Sequence, residues 1–343
     1  MDHTICALES DKSTSDKQAD TYSLLQTPPR TPSIIASSSQ TLASHIRSIH
    51  QALSELSDLA PGDTVNSLLT QLVSLCVEPR SHEFTTQFFN IQGIPKLCEQ
   101  LRPICAKAEG ELETFWAKKI ISESLKMKGK VMSQFRALIG QHLLATSTQT
   151  QALLSMFPYH QNYLDLSRLE CAALSAFLPT TCTPQKIAFI GSGPLPLTSL
   201  CMLDIYPSAH VHNIDRDTSA LSVSQDLCAR LGYADRMSFA CADMCTGDRG
   251  QEMTKWDDFE VVFLAALVGM NTTTKLAILE GLVKQLRSGT LIVARSAKGL
   301  RGVLYPIFDL GEDLDKIGLE MLVEVHPWTK VVNSIIVLRV KVR

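Results

Sequence analysis

Lys186 to Ser199 reads KIAFIGSGPLPLTS. The apolar run Ile187, Ala188, Phe189 and Ile190 enters Gly191-Ser192-Gly193, and the segment after it reads as a helix opening at Pro194. A strand, a tight turn and a helix N-terminus form a junction that can hold a nucleotide-like ligand. The glycines admit close backbone approach, and the free helical N–H groups point outward. An acidic residue at the end of the next strand can bind a ribose diol, and AHVHNID supplies one at Asp215. Pro196 stands where the dinucleotide fingerprint GxGxxG has its third glycine. That departure argues against a gripped pyrophosphate and towards a ligand with no phosphate there, such as S-adenosylmethionine. The competing reading is a plain tight turn.

Outward from this junction, strands are expected at 186–191, 209–215, 236–241, 259–265 and 290–295, with helices at 194–205, 217–231 and 273–287. Two more strands, Leu319 to Val325 and Asn333 to Val340, are separated only by a turn around His326-Pro327 and Thr329-Lys330, too short for a parallel crossover. The expected fold class is α/β. Its Rossmann-like sheet of five parallel strands plus a C-terminal antiparallel hairpin is the organisation of S-adenosylmethionine-dependent transferases. Dehydrogenases usually lack the hairpin.

Before the sheet the periodicity is helical. Ile46, Ile49, Leu53 and Leu56 share one helix face ahead of Pro61-Gly62, and Val65, Leu68, Leu69, Leu72 and Leu75 mark a second helix. Further helices are expected at 94–101, 104–126, 131–145 and 162–177. The domain reading is a disordered tail over 1–40, rich in Ser, Thr, Asp and Pro, then an all-α cap over 41–180 and the S-adenosylmethionine-binding domain over 181–343. Lys118, Lys119, Lys126, Lys128 and Lys130 read as a solvated helix face.

The 343 residues are 45% hydrophobic and 20% charged, with a formal net charge of −3. This balance carries no electrostatic footprint for nucleic acid or an anionic membrane. The strongest apolar run, Val261 to Met270, suits a buried strand and not a bilayer span. MDHTICALESDK lacks the basic end and apolar core of a secretory signal, so a cytoplasmic chain is expected. Ten cysteines, most of them inside apolar segments, read as buried thiols in a reducing compartment. Cys241 and Cys245 have no second pair or neighbouring histidines at ligand spacing, and no metal is expected.

GSGPLPLT is not alone. Ala108-Glu109-Gly110 with Leu112-Glu113, Phe157-Pro158-Tyr159 with Asn162-Tyr163-Leu164, Asn213 to Asp217, VVFLAALVGM from Val261, Arg295-Ser296-Ala297 with Leu304-Tyr305-Pro306, and His326-Pro327 with Asn333-Ser334 all resemble blocks of the nicotianamine synthases. The resemblance runs from about residue 45 to the C-terminus. Plant members read FPYY and RSAHG where this chain carries His160 and Lys298. The resemblance implies condensation of three S-adenosylmethionine molecules into nicotianamine, a metal chelator, with methylthioadenosine released at each step. Small molecules are the only partners implied.

By motif match, Glu109 and Tyr159 are similar to the family's acidic and phenolic pair in the reaction chamber; without it they read as a surface glutamate and a core tyrosine. The nucleophile is an amine that must lose a proton, which suits a carboxylate whose pKa burial has raised. Gly191, Ser192, Gly193 and Asp215 are expected to hold the donor, with Asp243 beside the adenine and Ala265 and Leu267 lining the cleft. Asp217 is the alternative to Asp215, with helix capping as its plainer role. Arg295 is expected to pair with a substrate carboxylate. His326 either faces the cleft or pins the hairpin turn. Single aminocarboxypropyl transfer to another amino acid, methyl transfer, and a non-catalytic donor-binding module are the competing readings.

Overall fold

The computed structural model describes residues 32–134, 149–179, 183–246, 254–308 and 311–342. The strands are β1 (Lys186–Ile190), β2 (His210–Asp215), β3 (Met237–Cys241), β4 (Val261–Leu264), β5 (Leu291–Ser296), β6 (Leu319–Val325) and β7 (Ser334–Val340). They form a seven-stranded sheet in the order β3-β2-β1-β4-β5-β7-β6. The first five strands pair in parallel, and β7 pairs antiparallel with both β5 and β6. From β1 the chain winds outward to β3 and then returns to place β4 on the other side of β1. That reversal opens a crevice at the carboxyl ends of β1 and β4.

Buried strands explain the continuous apolar runs: every residue of β4 and β5 is buried. One face, through Phe189, Phe263 and Val293, shares a core with Ala117, Ile120, Leu153, Leu166 and Leu174 of the helical half. The other face, through Ile190, Leu264 and Ile292, packs on Ile278, Leu279 and Leu282. These last belong to helix α9 (Thr272–Val283), after α7 (Leu197–Ile205) and α8 (Thr218–Leu231).

The helical half is α1 (Pro32–Ser54), α2 (Asp63–Val77), α3 (His82–Phe89), α4 (Ile94–Gln134), α5 (described over 149–154) and α6 (His160–Ser175). Two expectations are corrected. Residues 32–40, expected to be part of a disordered tail, are helical, because Ile35 and Ser39 are buried on the face that continues through Leu42 and Ile46. The serine content misleads because these hydroxyls bond back along the helix, as Ser39 does to the Ala36 carbonyl at 2.9 Å. Residues 1–31 lie outside the described residues. The expected break near Pro103 does not occur either, and α4 runs unbroken for 41 residues. Leu101, Cys105 and Ala108, on both sides of the proline, are locked into one core with Leu300, Val303 and Leu304, and this packing holds the turn that proline weakens. Of the basic run, Lys118, Lys119 and Lys126 are exposed, as expected, and Lys119 lies 4.3 Å over the Trp116 ring.

A buried ion pair ties the helical layer to the sheet. Arg295, on β5, donates from Nε and Nη2 to the two carboxylate oxygens of Glu170 on α6, at 2.7 and 3.0 Å. The same Nη2 donates to Thr198 Oγ1 at 2.8 Å, and the guanidinium lies 5.4 Å over the Phe189 ring. Both partners are buried, so removing Glu170 leaves the Arg295 guanidinium without its two-point partner. Glu170→Ala is therefore expected to lower unfolding free energy by about 3–5 kcal/mol in denaturant titration, and a loss below about 1 kcal/mol would mean that the pair does not join the layers.

Candidate active site

A cavity of about 560 Å³ occupies the crevice at the carboxyl ends of the strands, bounded by α4 and α6 from the helical layer. A concavity of similar size, beside Gly289, Asp315 and Arg339, lies at the opposite end of the sheet, away from the glycine turn.

The turn is shaped by what presses on it. Gly191 and Gly193 have φ of 83° and 64°, the left-handed region that side chains disfavour. A Cβ at 191 would stand 2.6 Å from Val268 Cγ2 and 2.9 Å from Ala265 Cβ; one at 193 would stand 2.7 Å from Glu113 Oε2. The helix opens at Leu197 and not at the expected Pro194, because Pro196, with ψ of 54°, occupies the N-cap outside the helical region. Asp215 fixes the turn from below: its Oδ2 accepts from Gly193 N at 2.9 Å and its Oδ1 from Asp217 N at 3.0 Å. Asp217 caps α8, accepting from Ser219 N at 2.8 Å, and also lines the cavity.

Asp243, Ala265 and Leu267 line the cavity as expected. Asp243 accepts from Cys245 N at 2.9 Å. The loop carrying Ala265 and Leu267 is anchored by Lys275, which the sequence reading did not single out. The Nζ of this buried lysine donates to the carbonyls of Ala266, Arg295 and Ala265 at 3.1, 3.4 and 3.5 Å, and burial pushes its pKa down to about 7. Ser192 Oγ and Asn333 Nδ2 are buried without a hydrogen-bond partner, and both residues line the cavity.

Two carboxyls face the cavity from successive turns of α4. Glu109 accepts a hydrogen bond from Tyr305 OH at 2.6 Å, and Glu113 accepts one from Tyr163 OH at 2.7 Å. Burial raises the Glu109 pKa, opposed by the Tyr305 bond. Burial also pushes the Glu113 pKa up to about 8; the Tyr163 bond opposes it, while the charges of Glu109 and Asp215 reinforce it. Arg295 lines the same cavity, held by Glu170 and Thr198 as described, and its Nη1 hydrogen-bonds to none of the described residues.

Glu109, Gly191, Ser192, Gly193, Asp215, Asp243, Ala265, Leu267 and Arg295 thus converge on one cavity. Two expected site residues do not. Tyr159 sits at the N-cap of α6 with 42% of its surface exposed and its ring edge-on to Phe157, outside the cavity wall. Tyr163, one turn further along α6, lines the cavity instead and donates to Glu113. His326 turns away into the hairpin, bonded to Ser334 Oγ at 2.7 Å and 3.1 Å from Glu324, so it pins the turn. Glu113 and Tyr163 had a signal in the same sequence blocks, but the blocks do not say which acid and which phenol face inward. Among the described residues, no group of three or more His, Cys, Asp or Glu is placed to hold a metal ion.

Residues 35–135 and 119–343 match the family model described as nicotianamine synthase protein. Over 298 residues the chain is 35% identical to nicotianamine synthase 2 of Arabidopsis thaliana, covering 86% of this chain and 82% of that one. It is 33% identical over 316 residues to the nicotianamine synthase of Solanum lycopersicum, covering 89% and 86%. The solved structure of a mutant of MtNAS in complex with S-adenosylmethionine has a TM-score of 0.64 to it at 19% identity, covering 87% of this chain and 97% of that one, and shows a shared fold. By the extent of these matches, the chain belongs to the nicotianamine synthase family.

Proposed function

We propose that the protein makes nicotianamine by successive transfer of 3-amino-3-carboxypropyl groups from three S-adenosylmethionine molecules, with azetidine ring formation and release of methylthioadenosine. The observation that carries this reading is the Glu113–Tyr163 pair, which stands against the glycine turn inside a cavity of a chain of this family. The donor is read into the cleft along Gly191, Ser192, Gly193, Asp215, Asp243, Ala265 and Leu267, all of which line it. Asp215 keeps lone pairs free for the ribose hydroxyls beyond the two backbone bonds it accepts.

A sulfonium can be attacked at its methyl or at the γ-carbon of its aminobutyrate arm, and the outcome is set by which carbon faces the nucleophile in line with sulfur. In this reading the arm runs from the glycine turn towards α4 and its carboxylate meets Arg295 Nη1. The attacking nitrogen forms a bond to the γ-carbon as the carbon–sulfur bond breaks. The electron pair stays on sulfur, giving neutral methylthioadenosine, and the proton lost by the nitrogen passes to the Glu113 carboxylate. Tyr163 orients that carboxylate. A positive sulfonium nearby favours the ionised form of Glu113, so donor binding itself prepares the acceptor of the proton. The helical layer excludes water from the sulfonium. A cytoplasmic setting is supported by the free thiols, six of the eight described being buried.

Purified protein given S-adenosylmethionine alone is expected to yield nicotianamine and methylthioadenosine. Adenosylhomocysteine in the mass spectrum would signify methyl transfer instead, and an absolute need for an added amino acid would signify a single transfer. Glu113→Gln is expected to keep donor binding and to slow methylthioadenosine release by about 10²–10⁴-fold. Because the deprotonated carboxylate is the active form, kcat/KM for the wild type should rise with pH through about 8 and be lost below it. That limb should disappear in Glu113→Gln; its persistence would assign it to another group.

A further inference from the structure

The proposed transfer employs groups that face the cavity, and a buried cation directly behind the cavity wall has no part in it. Lys275, in the first turn of α9, is not among the residues that line the cavity. Its side chain is buried, and Nζ donates to the carbonyls of Ala266, Arg295 and Ala265 at 3.1, 3.4 and 3.5 Å. Three acceptors match the three N–H groups of an ammonium, which a neutral amine cannot supply. Among the described residues this ammonium forms no ion pair. A buried charge without a counter-ion costs stability, so packing alone does not account for a lysine here.

What the lysine holds is the loop between β4 and α9. Ala265 and Ala266 begin that loop. Gly269, near its end, has a φ of 76° and sits so close to α9 that a Cβ there would stand 2.9 Å from Lys275 Cα and N. Between them the loop meets the glycine turn, where Val268 Cγ2 and Ala265 Cβ crowd the place of a Cβ at residue 191. The loop is thus clamped between the lysine and the turn, and every residue from Ala265 to Gly269 lines the cavity. The other side chains of the reaction are held without Lys275: the Arg295 guanidinium by Glu170 and Thr198, and the Glu113 carboxyl by Tyr163.

We infer that Lys275 is a positioning residue for donor binding. From behind the cavity wall its ammonium sets the loop from Ala265 to Gly269 against the glycine turn, and so fixes the cleft that takes S-adenosylmethionine. This inference rests on the donor placement in the proposed function and adds to it a determinant of donor affinity that never touches the donor. Its effect falls on binding and not on the transfer step, because the groups that act in that step are anchored elsewhere.

The test compares the full-length wild type with Lys275→Met, which keeps the apolar length of the side chain and loses the ammonium. S-adenosylmethionine affinity by calorimetry is expected to fall about tenfold, with KM rising in step and kcat at saturating donor staying within about threefold of the wild type. The denaturation midpoint should be unchanged or higher, since a buried charge has been removed. Lys275→Gln, which keeps donors without the charge, is expected to lower donor affinity as well and serves if Lys275→Met fails to fold. Wild-type donor affinity in these variants would overturn the inference, as would a fall in kcat with KM unchanged. A wild type that binds S-adenosylmethionine but releases no methylthioadenosine would overturn the proposed function, while loss of donor affinity in Lys275→Met would still uphold the inference.

Discussion

A carboxylate oxygen of Glu113 stands 2.7 Å from where a Cβ at residue 193 would lie, so an acid of the helical layer meets the glycine turn of the sheet. Gly193 leaves room for that carboxylate and takes a left-handed backbone that side chains disfavour. Asp215 holds the turn from β2 through the Gly193 amide, and Arg295 draws α6 onto β5 through Glu170. A donor lying along the turn would be within reach of an acid that belongs to the opposite layer. The chamber exists between two layers and in neither alone.

Bringing carboxyls into such a place has an energetic consequence that the phenols offset only in part. Burial raises Glu109 and Glu113 together, each is opposed by one phenolic hydrogen bond, and for Glu113 the Arg295 charge adds a further opposing influence. Raised to about 8, the Glu113 carboxyl accepts a proton near neutral pH, which an ordinary surface glutamate does poorly. The buried Lys275 contributes differently. Its three carbonyl contacts tie the exit of β4 to the end of β5, so the loop lining the cleft is held without any group that itself projects into it.

The sheet was legible because strand periodicity and connection length are local properties: all five parallel strands and the hairpin lie within two residues of their expected places. The glycine turn, Asp215, Asp243 and Arg295 were legible because the parallel architecture sends the carboxyl ends of its strands to one crevice. The helical layer was less so. Continuity of α4 through Pro103 and the early start of α1 depend on long-range packing, which no local rule contains. The choice of Tyr163 over Tyr159 and the addition of Glu113 to Glu109 turn on which helix faces meet across the cavity. Lys275 gave no signal at all, since a lysine in an apolar helix reads as its solvated edge until its carbonyl partners are seen.

The claim on which the chemistry rests is that the γ-carbon of the aminobutyrate arm, and not the methyl, is turned towards the Glu113–Tyr163 pair. A crystal structure of the Glu113→Gln variant with S-adenosylmethionine bound measures this directly. The expected result is the adenosine ribose on Asp215, the arm extended past Gly193 into the chamber, and the methyl pointing away from α4. A methyl directed into the chamber with the arm folded back towards the sheet would contradict the account.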